Sequence, residues 1–138
     1  MFGHETSCCI GAPISANRMY AMTPKGVFKT RKYRNWIDLN LPKIQSQMRP
    51  AQSFPIEVNI VIVQGKDWGP TCDPDNACKP ILDLLTRAGV IPDDSGKYIQ
   101  KVNVRYMPLS PRGEALTRIE YKEPDSEVCL TDIERTVE

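Results

Sequence analysis

The chain has 138 residues, of which 41% are hydrophobic and 25% charged, and its formal net charge at pH 7 is +1. These values are ordinary for one soluble globular domain, and no apolar run approaches the roughly 18 residues that a membrane-spanning helix needs. The N-terminus lacks the basic-then-apolar layout of a signal peptide. We therefore expect a cytoplasmic protein with no membrane partner.

Charge is distributed unevenly along the chain. Residues 123–138 carry six acids against one arginine, which leaves 17 basic and 11 acidic residues in 1–122. We therefore predict a domain over 1–122 and an acidic C-terminal extension over 123–138. Five cations fall within ten residues of the domain: Lys25, Lys29, Arg31, Lys32 and Arg34. Such a segment suits a phosphate backbone, although a solvated face is the simpler interpretation of a charge run taken alone.

The first half of the chain predicts two strands and a helix. Residues 10–24 are rich in Pro, Ala, Ser and Asn, and predict a loop after a short first strand. Val27 and Phe28 indicate a brief strand, and Thr30 the start of a helix. Apolar side chains then recur at helical spacing, and Pro42 is expected to kink or split the helix. These apolar residues are Tyr33, Trp36, Ile37, Leu41, Ile44 and Met48.

The second half predicts a strand, a helix and two more strands. Apolar and polar residues alternate from Ile56 to Ile62, which indicates a strand. A helix ending at Gly89 follows, and Pro80 requires it to begin at Ala77 or later. Further strands are predicted around 102–106 and over 116–121. This order predicts an α+β fold: a single domain in which two main helices pack on one mixed sheet.

Acidic residues crowd around the second helix. Five carboxylates and one lysine lie within 22 residues: Asp73, Asp75, Asp83, Asp93, Asp94 and Lys79. Two carboxylates about 4 Å apart repel by about 4 kcal/mol at a surface-like dielectric, so such clusters are usually neutralised by a divalent cation. Mg²⁺ prefers oxygen ligands. The five cysteines form no CxxC pair and there is a single histidine, which argues against zinc.

Three other interpretations account for these aspartates less well. An EF-hand loop fails at its fifth, sixth and twelfth positions, where Ala77, Cys78 and Leu84 stand. An aspartyl-phosphate motif is weak, because residues 69–72 do not form the apolar strand that normally precedes it. Helix-capping and turn roles explain some of the acids, but not the presence of all five.

The pattern Asp73-x-Asp75-Asn76-x-x-Lys79-x-x-x-Asp83-x-Leu85-x-x-x-Gly89-x-x-x-Asp93-Asp94 resembles the signature of RusA-type Holliday junction resolvases. These are small Mg²⁺-dependent DNA endonucleases, often carried by phages and prophages. Upstream, Pro13-Ile14-Ser15-Ala16-Asn17-Arg18-x-Tyr20 resembles the family's Pro-Pro-Ser-x-Asn-x-x-Tyr loop, with Ile14 in place of the second proline. The resemblance covers about residues 12–121.

The resemblance implies a catalytic site and a set of partners. Asp73, Asp75 and Asp94 would be catalytic metal ligands for Mg²⁺, which Mn²⁺ could replace, and Lys79 the essential lysine beside them. Asn76, Asp83 and Asp93 would support these ligands or anchor the helix. A homodimer would resolve four-way junctions by paired incisions, in a bacterial or phage-infected host cytoplasm. The expected DNA-binding residues are Asn17, Arg18, Lys25, Lys29, Arg31, Lys32, Arg34, Lys101 and Arg105.

Two hypotheses from other functional classes stay open. A junction-binding architectural protein that does not cleave DNA needs the basic surface but not the aspartates. A Mg²⁺-dependent phosphotransferase acting on small phosphate esters needs the aspartates but not the basic surface. The presence of both features favours the nuclease.

Overall fold

The computed structural model describes residues 3–69, 72–108 and 113–124. Its strands are β1 (Ser7–Ile10), β2 (Tyr20–Thr23), β3 (Gly26–Lys29), β4 (Ile56–Val63), β5 (Ile99–Met107) and β6 (Leu116–Lys122). Its helices are α1 (Arg31–Gln47) and α2 (Cys78–Arg87). Two short 3₁₀ turns precede β2 and α2, over Ala16–Arg18 and Pro74–Ala77 respectively.

Four strands form the main sheet, in the order β1-β6-β4-β5. β4 and β5 are parallel, whereas β6 runs antiparallel to both β4 and β1. Burial alternates along β4, so that Ile56, Val58, Ile60 and Ile62 are fully buried and the residues between them are half-buried. The buried face shares one hydrophobic core with the apolar sides of α1 and α2. The predicted α+β fold with a mixed sheet is confirmed.

α1 begins where the sequence predicts. The Thr30 hydroxyl accepts a hydrogen bond from the backbone N–H of Tyr33 at 3.1 Å and so caps the helix. The helix is 17 residues long and continues through Pro42 without a break, so the predicted split is wrong. Pro42 lies on the exposed side, where solvent can satisfy the carbonyl of Asp38 that loses its helical partner.

A β-hairpin replaces part of the predicted loop over residues 10–24. β2 pairs antiparallel with β3, and Pro24 and Lys25 form the turn between them. Gly26 has a φ of 129°, which side-chain-bearing residues rarely adopt. The Thr23 hydroxyl donates to the Gly26 carbonyl at 3.0 Å and closes the turn. The loop prediction is therefore wrong over Tyr20–Thr23.

α2 connects the two parallel strands and carries the candidate site at its start. Its first residue is Cys78, in agreement with the limit set by Pro80, which falls in the first turn. Gly89, with a φ of 80°, follows its last turn. The chain then passes through Asp93 and Asp94 into β5.

Glu123, the first residue of the predicted acidic extension, is attached to the domain. Its carboxylate pairs with Arg49 and accepts the backbone N–H groups of Gln52 and Ser53 at 3.0 and 2.8 Å. The rest of the extension, from residue 125, and residues 109–112 lie outside the described residues. Neither helix in the described ranges is long and apolar enough to cross a bilayer.

Candidate functional site

Asp73 and Asp75 lie side by side on the 3₁₀ turn that leads into α2. The Asp73 carboxylate accepts the backbone N–H of Asp75 at 3.1 Å, and both residues are exposed. Burial raises the pKa of the neighbouring Cys78 thiol, and the negative charges of Asp75 and Asp73 raise it further. Cys78 therefore stays protonated at neutral pH, and the two carboxylates are the groups here that can accept a cation.

Lys79, in the first turn of α2, forms an ion pair with Asp94, in the turn that precedes β5. The Lys79 Nζ lies 2.6 Å from Asp94 Oδ2. This hydrogen bond raises the pKa of Lys79 and lowers that of Asp94. The Lys79 side chain is nevertheless 59% exposed, and that of Asp94 26% exposed. The result is an ammonium that is held in place but is open to a ligand from solvent.

Asp83 joins the two helices. Its carboxylate accepts the Tyr33 hydroxyl of α1 and the Arg87 Nε at 3.0 Å. Burial and the hydrogen bond to Asp83 raise the pKa of Tyr33, so its hydroxyl remains a donor at any physiological pH. Asn76 donates its backbone N–H to the Asp73 carbonyl at 3.1 Å, and Asp93 is exposed beside Asp94. These contacts fix the position of α2 and of its lead-in.

The three aspartates that the resemblance implies as ligands do not converge on one point. Within residues 3–69, 72–108 and 113–124, no three His, Cys, Asp or Glu side chains lie close enough together to hold a metal ion. Mg²⁺ in phosphoryl-transfer sites, however, is often held by one or two carboxylates together with substrate phosphates and water. The exposed pair Asp73 and Asp75 fits that mode, whereas Asp94 is engaged by Lys79.

The N-terminal loop also lies beside the start of α2. The 3₁₀ turn at Ala16–Arg18 lies against the turn at Pro74–Ala77 and against α2. The Ser15 hydroxyl accepts the backbone N–H of Asn17 at 3.2 Å and shapes this loop, leaving Asn17 and Arg18 exposed. Two segments more than 50 residues apart in sequence, each matched by the resemblance, are therefore neighbours.

Residues 18–34, which we call the basic segment, contain six cations and no acid. They are Arg18, Lys25, Lys29, Arg31, Lys32 and Arg34. None of them takes part in the ion pairs found between described residues. Three of the six lie in the first turn of α1, where cations oppose the helix dipole. Among the described residues, therefore, no acid compensates this concentration of positive charge.

Lys101 and Arg105 lie on a different surface. Both are on the face of β5 opposite the helices, and Lys101 is 3.7 Å from Glu57 on β4. The structure thus divides the expected DNA-binding residues between the basic segment with its neighbour Asn17 and the open face of the sheet.

Several residues that matter at this site were not among the predicted site residues. The rings of Tyr20 and Tyr33 are 6.3 Å apart, and Tyr33 stacks on Trp36 at the same distance. Arg87 lines a groove of about 240 Å³ together with Lys29, Arg34 and other residues. The sequence contains one signal for Arg87, because it stands four residues after Asp83, the spacing of an ion pair on a helix.

No protein-family model matches this chain, and a search of curated proteins finds no match either.

Proposed function

We infer that the protein is a Mg²⁺-dependent endonuclease that cuts branched DNA, acting as a homodimer with one site for each of two opposed strands. One observation supports this more than any other: residues 16–18, 73–79 and 94, which carry the RusA-type resemblance, meet around the start of α2. Residues that match a sequence pattern by chance would not be expected to lie together in the folded protein.

The chain's own groups suggest a division of roles. Asp73 and Asp75 would hold Mg²⁺ together with the scissile phosphate. When bound, this ion would supply a Lewis acid for hydrolysis of the phosphodiester. Lys79 has three N–H donors, and Asp94 occupies one of them. The others would stabilise the negative charge that develops on the phosphate in the transition state.

The charge distribution favours DNA over a small phosphate ester. The aspartate pair is exposed, and neither Asp73 nor Asp75 lines the groove of about 240 Å³ beside Arg87 or a second groove of about 540 Å³ beside β1. Small substrates are usually bound in a concave pocket. An open site in a domain whose basic segment carries six cations, none of them paired with a described acid, suits a large polyanion better.

The test is cleavage of a labelled synthetic four-way junction, with a linear duplex of the same sequence as the reference substrate. Cutting should occur with Mg²⁺ or Mn²⁺ and cease in EDTA, while binding persists. Asp75→Asn should abolish cleavage and leave binding intact or tighter, because it removes a metal ligand and a charge that repels phosphate.

The matched control is Glu114→Gln, which removes an exposed carboxylate elsewhere and should cut at the unmodified rate. Cleavage that survives exhaustive chelation would refute the metal-dependent mechanism. Binding to the junction without cleavage in any divalent metal would support the architectural alternative instead.

A further inference from the structure

The exposed apolar side chains of the described residues concentrate on the β2–β3 hairpin. Six large hydrophobic residues are exposed, and four of them are on this hairpin: Tyr20, Met22, Val27 and Phe28. The other two, Leu39 and Leu116, lie apart on α1 and β6. Met22 is 86% exposed, the highest value in this group. Clustered exposed apolar side chains usually mark a binding surface.

The hairpin has an ordered tip and a fixed base. The tip is closed by the contacts of Thr23, whose hydroxyl donates to the Gly26 carbonyl and accepts the Lys25 N–H at 3.2 Å. At the base, Met19 is buried and its carbonyl accepts the Thr30 N–H at 3.0 Å. Residues 20–28 project from this base with every side chain exposed.

The strand register shows which side chains act together. Met22 is paired with Val27, and Tyr20 with Lys29, so these four share one face of the hairpin. Tyr20 packs near Tyr33, whose hydroxyl donates to Asp83 on α2. The apolar pair at the tip is therefore connected through Tyr20, Tyr33 and Asp83 to the helix that carries Lys79.

The charges around Met22 and Val27 indicate what kind of partner they would contact. The basic segment supplies six cations and no acid around the hairpin, which complements a polyanion. Apolar side chains flanked by cations are the usual composition of wedges that enter between DNA base steps. Unstacking is least costly where bases are already poorly paired, and that is the case at a branch point.

We propose that the β2–β3 hairpin is a wedge, in which Met22 and Val27 pack against base faces at the branch point while the surrounding cations hold the phosphates. This proposal rests on the DNA substrate inferred above.

The test uses a four-way junction with 2-aminopurine beside the branch point, whose fluorescence rises when the base is unstacked. Measurements are made in EDTA with protein at saturation, so that neither cleavage nor affinity affects the signal. The unmodified protein should raise the fluorescence about three-fold or more, and the double variant Met22→Ser, Val27→Ser should remove most of that rise while still binding. Leu39→Ser, which removes an exposed apolar side chain elsewhere, should behave as the unmodified protein.

The possible outcomes separate the wedge proposal from the proposed function. A protein that binds the junction without a rise in fluorescence, or a double variant that keeps the full rise, would overturn the wedge and leave the proposed function standing. The hairpin would then be a surface for a protein partner. An equal rise with 2-aminopurine inside a linear duplex would overturn its specificity for the branch. Absence of binding to branched DNA would refute both proposals.

Discussion

Two regions of the molecule differ in whether their charged side chains are paired. Around α2, Asp94 pairs with Lys79 and Asp83 pairs with Arg87, so most charges have a partner that the fold supplies. In the basic segment, no cation pairs with a described acid, and the apolar tip of the hairpin is exposed as well. The charges of the first region are mostly paired before any ligand binds, whereas the cations of the second have no acidic partner among the residues that the structure describes.

The second arrangement lowers stability. Each cation in the first turn of α1 costs about 0.3–1 kcal/mol against the helix dipole. Leaving Met22 and Val27 in water forgoes about 1.5–3 kcal/mol for each side chain that burial would provide. Features that oppose folding in this way are typical of binding surfaces. We therefore propose that the region around α2 carries the chemistry and that the basic segment binds the substrate.

Among the changes that test this comparison, the largest expected effect is that of replacing Lys79. Lys79→Met should fold, dimerise and bind junctions, yet cleave at least about a hundred-fold more slowly at saturating Mg²⁺, because it removes a cation that acts when charge develops on the phosphate. Single-turnover rates on a pre-bound junction measure this step directly. The matched control is Lys43→Met, an exposed lysine on α1, which should cut at the unmodified rate.

A Lys79→Met rate within about three-fold of the unmodified protein, less than 1 kcal/mol in barrier, would exclude a role in chemistry for this lysine. The assignment of catalysis to the start of α2 would then depend on the aspartates alone.

A smaller effect should appear when three cations of the basic segment are removed. Lys29→Ala, Arg31→Ala and Lys32→Ala together should flatten the salt dependence of junction binding. Three lost phosphate contacts would reduce the affinity change between 50 and 200 mM salt by about 40-fold. Titrations at four or more salt concentrations give the two slopes.

The control for that triple variant removes the same charge elsewhere, through Lys43→Ala, Lys97→Ala and Lys122→Ala. These residues are exposed and lie outside the basic segment. Equal slopes for the two triple variants would show that only net charge matters, and that residues 18–34 are a solvated face.

Local patterns predicted most of the fold. Alternation identified β4, and Pro80 set Ala77 as the earliest start of α2, which begins one residue later at Cys78. The β2–β3 hairpin was missed because composition alone suggested a loop. Tyr20–Thr23 ahead of Pro24, Lys25 and Gly26 is a strand followed by a turn, and Val27 and Phe28 needed a partner strand.

The geometry of the site depended on tertiary structure that no local pattern contains. The ion pair between Lys79 and Asp94 spans a helix and the turn that follows it, and its formation depends on the path of that turn. The contact between Tyr33 and Asp83 joins residues 50 positions apart. The resemblance placed Lys79 beside Asp94, but it did not predict that Asp94 would pair with Lys79 and stay apart from Asp73 and Asp75.

The smallest expected effect is on stability, and it tests whether the ion pair at the start of α2 exists for the fold or for chemistry. The Lys79 hydrogen bond lowers the pKa of Asp94 below its ordinary value of 3.8, so the folded state favours the carboxylate. Any stabilisation from Asp94 is therefore complete above pH 3.8 and is lost as the pH falls through the lowered pKa. Because the Lys79 side chain is 59% exposed, solvent screens the pair, and exposed pairs contribute about 0–1 kcal/mol. Asp94→Asn should thus lower the free energy of unfolding by less than about 1 kcal/mol at pH 7, and in urea titrations the difference should shrink as the pH falls through the lowered pKa of Asp94. A loss above about 2 kcal/mol that persists at low pH would make Asp94 a structural residue, and the contrast with the basic segment would no longer hold.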